Sequence, residues 1–181
     1  MKNIVYFDLE TQRSAAEVGG WQNKREMKMS VGVTYSTAAQ AYRIYPEDEA
    51  EELIKELRRA DCVVGFNILN FDFQVLEAYT LFDLGTVAAL DLMVDVEKSL
   101  GRRLGLDAIA SETLGVGKTG HGTDALKWWK EGRMMDIAEY CCYDAKATKL
   151  VHEYGASQGN VFYMNDRTKR REAISVAGWK I

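Results

Sequence analysis

The chain has 181 residues, a formal net charge of −4 at pH 7, 47% hydrophobic residues and 28% charged residues. Length and composition predict one globular domain, and the acidic balance argues against a protein that coats nucleic acid non-specifically. Three cysteines without a CxxC pattern indicate free thiols in a reducing cytoplasm. No apolar run is long enough for a signal peptide or a membrane span, so we expect no membrane partner.

The first third of the chain predicts a three-stranded meander followed by a helix. Residues 3–9, 28–36 and 40–45 are rich in β-branched and aromatic residues or alternate in polarity. The short connection TAA between the second and third strands indicates an antiparallel hairpin. Residues 47–61 predict a helix that is acidic in its first turn and basic in its last.

Strands and helices alternate after the meander. Short strands are predicted at 62–66 and 87–90, with a helical segment at 71–81 between them. Beyond residue 90, glycines divide the chain into helical pieces, and the last helix is predicted over about 133–154, ending before Gly155.

Residues 160–178 predict a terminal hairpin that extends a core of about 3–155. The predicted fold class is α/β, a mixed sheet of an antiparallel meander and parallel strands that is flanked by helices.

Three carboxylates lie where predicted strands or helices begin or end. Asp8 and Glu10 are two residues apart on the first strand, so both face one side of the sheet, where each raises the pKa of the other unless a cation lies between them. The start of a solvated loop would explain this pair equally well. Asp72 follows a buried strand and stands near a helix start, where an acidic residue is common.

A fourth carboxylate, Asp144, is unusual because it shares a helix face with apolar residues. The face advances in steps of four and three residues through Ile137, Tyr140, Cys141, Asp144, Thr148 and Val151. A lysine or hydroxyl partner could satisfy this carboxylate alone, but would not account for the other three. Ligands gather outside the carboxyl ends of strands in α/β sheets, and convergent carboxylates suit Mg²⁺ or Mn²⁺.

Three short motifs carry a family resemblance. FDLET (7–11), NILNFD (67–72) and YCCYD (140–144) resemble the motifs of the DEDD 3′–5′ exonucleases, which belong to the ribonuclease H-like superfamily. The Tyr-x-x-x-Asp form resembles the tyrosine branch (DEDDy), which includes proofreading domains of DNA polymerases. Longer stretches over most of 3–155 are similar to the exonuclease domain of family-B polymerases. Without a polymerase domain, the chain resembles YprB-like ribonuclease H-like domains.

The resemblance implies a metal-dependent exonuclease with a ribonuclease H-like sheet and two divalent cations, Mg²⁺ or Mn²⁺. It implies that Asp8 bridges both ions, that Glu10 and Asp144 complete the ion holding the attacking water, and that Asp72 serves the second ion. Tyr140 and Glu10 would orient that water in an in-line displacement. The products would be nucleoside 5′-monophosphates released from a 3′ end.

Substrate contacts are expected on either side of the acidic motifs. Thr11 and the Leu9 backbone would touch the terminal nucleotide, and Asn67 would lie at the same site, although asparagine is also an ordinary turn residue. Phe71 and Phe73 border Asp72 and are candidates for stacking on bases. The expected ligand is the 3′ end of single-stranded DNA or RNA, and the sequence does not choose between them.

The stretch GVGKT (115–119) is not a phosphate-binding loop, because Glu112 stands where the pattern requires its first glycine. Its glycines predict a loop in which Lys118 or His121 touches a phosphate, or a surface loop without contacts. His121 and His152 are the only histidines, which excludes a histidine-rich zinc site.

Two other functions compete with the exonuclease. A binding module could keep the fold and its acids without useful turnover and dock to a helicase or polymerase, although the complete set of acids argues against it. An endonuclease or phosphatase could use the same metals. However, the D-x-E motif differs from the D-x-D of haloacid-dehalogenase-type phosphatases, and a pI of about 5.3 does not suit a resolvase-like endonuclease.

Overall fold

A computed structural model describes residues 2–115 and 122–181, which form a five-stranded sheet, the helices that cover it, and a separate hairpin. The strands of the sheet are β1 (Ile4–Thr11), β2 (Met29–Ser36), β3 (Ala41–Pro46), β4 (Cys62–Gly65) and β5 (Ala89–Asp91). Their order is β3-β2-β1-β4-β5. The β1–β2 and β2–β3 pairs are antiparallel, and the β1–β4 and β4–β5 pairs are parallel. The predicted mixed sheet is confirmed.

The helices lie on both faces of this sheet. They are α1 (Lys24–Met27), α2 (Ala50–Arg59), α3 (Asp72–Leu76), α4 (Leu92–Leu100), α5 (Leu106–Leu114), α6 (Gly122–Lys130) and α7 (Met134–Gln158). The C-terminal hairpin consists of β6 (Asn160–Asn165) and β7 (Arg170–Ser175), as expected from the sequence. Among the described residues, no helix combines the length and apolar character needed to cross a membrane.

The central strand β1 separates two parts of the core because its side chains alternate between the faces of the sheet. Val5, Phe7 and Leu9 pack in one cluster with residues of α2 and α3. Tyr6 belongs to a second cluster that includes Val151 of α7. The acidic residues of β1 therefore face α7, on the same side as Tyr6.

The helix predicted over 71–81 is shorter than expected, since α3 ends at Leu76. Three residues beyond the helix, the Tyr79 hydroxyl accepts the Met29 N–H at 3.0 Å and donates to Glu47 Oε1 at 2.8 Å, which attaches this segment to the edge of the sheet. Beyond it, the Leu81 side chain is fully exposed.

The predicted end of the last helix at Gly155 is wrong. Helix α7 continues to Gln158, and Gly159 follows it in the left-handed conformation with φ 76°. Gly155 is required for close packing, because a Cβ there would lie 2.4 Å from the Trp179 ring. The loop predicted at 115–119, with Lys118 and His121, lies beyond Gly115 outside the described residues.

Candidate active site

Two carboxylates come from the middle of the sheet. Asp8 pairs with Val33 and Glu10 with Val31 of β2, so both residues belong to a paired strand rather than to a solvated loop. A register shift between Glu10 and Thr11 marks a β-bulge, a feature that re-aims side chains where ladder pairing is interrupted.

Helix α7 brings a third carboxylate to this pair. Asp8, Glu10 and Asp144 each offer one oxygen, and the three oxygens all lie within 4.8 Å of one another. The buried stripe of Ile137, Cys141, Thr148 and Val151 holds this helix against the sheet, while Asp144 itself is only partly buried. The structure thus unites residues that are more than 130 positions apart in the chain.

Asp72 lies behind the three carboxylates, at the start of α3. Its side chain is 3% exposed, and its Oδ1 accepts the Leu9 N–H at 3.2 Å. It does not belong to the group within 4.8 Å, but its charge raises the pKa of both Asp8 and Glu10. All four predicted acids therefore converge on one end of β1.

Burial is the main cause that raises the pKa of each of these acids. The pKa values of Asp8 and Glu10 lie well above the usual range because burial is reinforced by neighbouring carboxylates, Asp144 first. Burial raises the pKa of Asp72 to about 7 and that of Asp144 to about 6. Four anions packed in this way repel one another, and a divalent cation offsets that repulsion.

Tyr140 lies one helical turn before Asp144 and donates a hydrogen bond from its hydroxyl to that carboxylate. Burial, followed by the charge of Asp144, raises the pKa of Tyr140, so its phenol is neutral at pH 7. The ring packs edge-on against Trp128, with centroids 6.2 Å apart. The ring therefore packs on α6 while the hydroxyl binds Asp144.

Cys141 contributes a contact that was not predicted. Its Sγ lies 3.3 Å from Asp8 Oδ2 and 3.4 Å from the Asp8 carbonyl oxygen. Burial raises the pKa of this thiol well above its usual range, so the S–H donates to Asp8. The helical stripe indicated that Cys141 is buried, but the identity of its partner depends on how α7 crosses β1.

Asp91 is a second residue that was missed. It is 3% exposed, and its carboxylate accepts the backbone N–H groups of Asn67, Leu69, Met93 and Val94 at 2.8–3.3 Å. It caps α4 and holds the loop that leads to Asp72. An aspartate directly before a helical segment is a capping signal, and this signal was available in the sequence.

The predicted substrate contacts have different outcomes. Thr11 is buried and borders a cavity beside Glu10, and Asn67 lines a neighbouring cavity with its backbone at φ 70°. The Leu9 N–H donates to Asp72 and the Leu9 side chain is buried. The predicted contact between the Leu9 backbone and a nucleotide therefore cannot use this N–H. Phe73 is wrong as a stacking residue, because it is 3% exposed and stacks on Phe7 in the core.

Phe71 remains accessible. Its ring is partly exposed and lies against Trp21, with centroids 6.2 Å apart and planes at 65°. Phe71 lines both the cavity beside Glu10 and the neighbouring one. Of the two phenylalanines, it is the one with a surface that a base could reach.

Fold and site together define a class: α/β proteins with an acidic cluster between the central strand of a mixed sheet and a helix that crosses it. The chain belongs to the RNase H superfamily, since the family model matches residues 5–155. Comparison with curated proteins gives no significant match.

Solved structures share this fold at low sequence identity. The family B DNA polymerase from the hyperthermophilic archaeon Pyrobaculum calidifontis is 13% identical with a TM-score of 0.65, over 86% of this chain and 24% of the polymerase chain. RNase D of Trypanosoma brucei is 15% identical with a TM-score of 0.59, over 84% of this chain and 57% of that chain. The chain thus spans about a quarter of the first and just over half of the second.

Proposed function

We propose that the chain is a metal-dependent 3′–5′ exonuclease of the tyrosine branch. The observation that carries the proposal is the convergence of Asp8, Glu10 and Asp144 oxygens within 4.8 Å, with the Tyr140 hydroxyl on Asp144. The likeness to RNase D supports a nuclease, because that protein is a ribonuclease by name, and the likeness to a DNA polymerase supports a nucleic-acid substrate.

The residues at the site fit divalent metal ions. The donors are carboxylate oxygens, which Mg²⁺ and Mn²⁺ prefer. No ion pair between residues that the structure describes involves Asp8, Glu10, Asp72 or Asp144, so lysine or arginine does not neutralise them there. Asp8, Glu10 and Asp144 would hold one ion, and Asp8 and Asp72 the other.

Two such cations, when bound, supply a more acidic water and stabilise the charges of an in-line displacement. Tyr140, whose hydroxyl donates to Asp144 at the edge of the cluster, offers its oxygen as an acceptor to the attacking water and orients it together with Glu10. Water adds to phosphorus as the bond to the 3′ oxygen of the preceding nucleotide breaks. A nucleoside 5′-monophosphate leaves, and the shortened strand ends in a 3′ hydroxyl.

The proposed substrate is the 3′ end of single-stranded DNA or RNA. An acidic chain with a pI of about 5.3 has little general attraction for nucleic acid, so its affinity would be weak and salt-sensitive unless a partner delivers the strand. A helicase or polymerase is the partner class that suits this role. The three cysteines are free, in keeping with a cytoplasmic location.

The test uses single-stranded DNA and RNA labelled at the 5′ end, with Mn²⁺, Mg²⁺ or EDTA. We expect a ladder that shortens from the 3′ end with metal, and no shortening in EDTA or with Asp8→Asn/Asp144→Asn. Asp136→Asn is the matched control, because Asp136 lies on the surface of the same helix and pairs with Arg133. It should shorten the strands normally.

The competing function is a nucleic-acid-binding or docking module with little turnover. It would be favoured if neither strand shortens although Mn²⁺ binds at the carboxylates, as measured by calorimetry on the native chain and on the double variant. Cleavage within the strand would instead indicate an endonuclease.

A further inference from the structure

An exposed tryptophan stands beside the candidate active site. Trp21 begins a short 3₁₀ turn (Trp21–Asn23) in the segment between β1 and β2, and its side chain is 66% exposed. Gly19 and Gly20, with φ 82° and 130°, give the backbone before it conformations that other residues rarely adopt. In this turn the indole of Trp21 is exposed to solvent on one side and contacts the Phe71 ring on the other.

The Trp21–Phe71 pair is a wall shared by two cavities. The first, of about 770 Å³, contains Glu10, Thr11 and Arg13. The second, of about 460 Å³, contains Lys24 and Arg103. The aromatic pair therefore has the acidic cluster on one side and two cationic side chains on the other.

The cations of the second cavity come from separate parts of the chain. Lys24 Nζ donates to the uncharged Gln74 Oε1 at 3.0 Å, and no ion pair within residues 2–115 and 122–181 compensates its positive charge. Arg103 Nε donates to Glu97 at 3.0 Å in an exposed and therefore weak pair, since the Arg103 side chain is 58% exposed. The guanidinium has four further N–H donors beyond the one on Nε. Two cations beside an aromatic wall suit the backbone and bases of a nucleic-acid strand.

We infer that the Trp21–Phe71 pair is the platform on which the last bases of a single strand are separated. The terminal nucleotide enters the first cavity beside Glu10 and Thr11, and the phosphate of a preceding nucleotide lies near Lys24 and Arg103. This inference rests on the proposed function and extends it, because it assigns Trp21 as a stacking residue and Lys24 and Arg103 as the cations that hold the strand behind its last nucleotide. Because the last bases must separate to occupy both cavities, we expect a blunt duplex to bind more weakly than a single strand.

Binding is tested without turnover. The ligand is a 12-nucleotide single strand of DNA or RNA with a 5′ fluorescein, and its anisotropy is measured as protein is added. Two proteins that cannot turn the strand over are used: the Asp8→Asn/Asp144→Asn variant, and the native chain in EDTA. The substitution Trp21→Ala is introduced into each of these proteins. Trp21→Phe is introduced in parallel, because phenylalanine keeps an aromatic face. Tyr42→Ala is the matched control, because Tyr42 is another exposed aromatic, 41% accessible, on edge strand β3.

We expect Trp21→Ala to weaken single-strand binding about 10- to 100-fold, the range of one base-stacking interaction, and Trp21→Phe to weaken it less. Tyr42→Ala should bind normally, and the blunt duplex should bind weakly to every variant. Unchanged affinity in Trp21→Ala, or a blunt duplex bound as tightly as the single strand, would overturn the inference.

The cations are tested by salt dependence. Lys24→Ala/Arg103→Ala should lower the slope of log affinity against log salt by about 0.7 for each phosphate that the variant no longer neutralises. Lys55→Ala/Arg59→Ala removes two charges from α2 and should leave the slope unchanged. Equal slopes in both double variants would contradict a phosphate site at the second cavity.

These readouts separate the two proposals. If the strand binds as described but the native chain with Mn²⁺ never shortens it, the exonuclease proposal fails and the platform stands. If the native chain shortens strands and Trp21→Ala binds and shortens them equally well, the platform fails and the exonuclease stands.

Discussion

The thiol of Cys141 lies 3.3 Å from the Oδ2 of Asp8 and joins the crossing helix α7 to the central strand β1 at the acidic cluster. A thiol is a weak donor, but both partners are buried, and Asp8 has a raised pKa among three other acids. The contact selects one orientation of the carboxylate that is proposed to bridge two ions. Cys141 is in this sense a positioning residue.

Removing this thiol should weaken metal binding. We expect Cys141→Ala to lower Mn²⁺ affinity by about fivefold, the effect of removing one hydrogen bond of roughly 1 kcal/mol, and Cys141→Ser to retain more of it. Calorimetric titration at constant pH measures this. Cys142→Ala is the matched control on the adjacent residue, and an equal loss in that variant would show that Cys141 has no specific role.

Stability without metal should fall as pH rises. The acids of the cluster have pKa values above those of an unfolded chain, so their protonated forms stabilise the fold at low pH. This stability is lost as pH rises through about 6 for Asp144 and about 7 for Asp72. We expect Asp8→Asn to be about as stable as the native chain at pH 5 and more stable at pH 8, measured by urea unfolding in EDTA.

Divalent metal should reverse this trend. Because Mn²⁺ competes with protons for the same oxygens, the rise in melting temperature on adding it should be larger at pH 8 than at pH 5. Asp136→Asn is the control, since Arg133 holds the pKa of Asp136 below its usual range. It should keep the full metal response. A metal response that is independent of pH would contradict the proposed ligands.

Removing only the hydroxyl of Tyr140 should reduce turnover without disturbing the fold. Tyr140→Phe keeps the ring packing on Trp128 but removes the hydrogen bond to Asp144. We expect kcat on a single-stranded oligonucleotide to fall about 10- to 100-fold, since the reacting water and the Asp144 carboxylate both lose the hydroxyl that positions them, while KM changes little. An unchanged kcat would exclude Tyr140 from the reaction.

Gly155→Ala should destabilise the attachment of the C-terminal segment. The new Cβ would meet the Trp179 ring at 2.4 Å, and such overpacking typically costs about 1–3 kcal/mol in the free energy of unfolding. Gly178→Ala is the matched control, because a Cβ there meets nothing within 4 Å. Equal stabilities of the two variants by urea unfolding would show that the packing at Gly155 is not limiting.

His152 should make the same region sensitive to acid. Its ring nitrogens contact the Tyr6 hydroxyl and the Trp179 carbonyl, both at 2.9 Å, and burial lowers its pKa. His152 therefore binds a proton more readily in the unfolded chain than in the folded one. As a result, the free energy of unfolding decreases as the pH falls below about 6.5. His152→Gln should reduce that loss between pH 7 and pH 5, measured against the native chain.

The pattern of the sequence predicted much of the site because each acid had a local signal. The two-residue spacing of Asp8 and Glu10 follows from strand geometry, and the inward face of Asp144 follows from helix periodicity. Phe73 was misjudged because its position beside Asp72 said nothing about which way α3 turns. Gly155 was misjudged because a glycine that ends a helix and one that admits a neighbouring ring look alike in sequence.

The sequence by itself determined the mixed sheet, most helices and the four acids, since these depend on spacing along one strand or helix. Only the tertiary structure decided that Cys141 meets Asp8, that Asp91 holds the loop before Asp72, and that Trp21 reaches Phe71. Those contacts join segments far apart in the chain. Their geometry depends on how α7 crosses β1 and on where the segment after β1 folds back, which no local periodicity encodes.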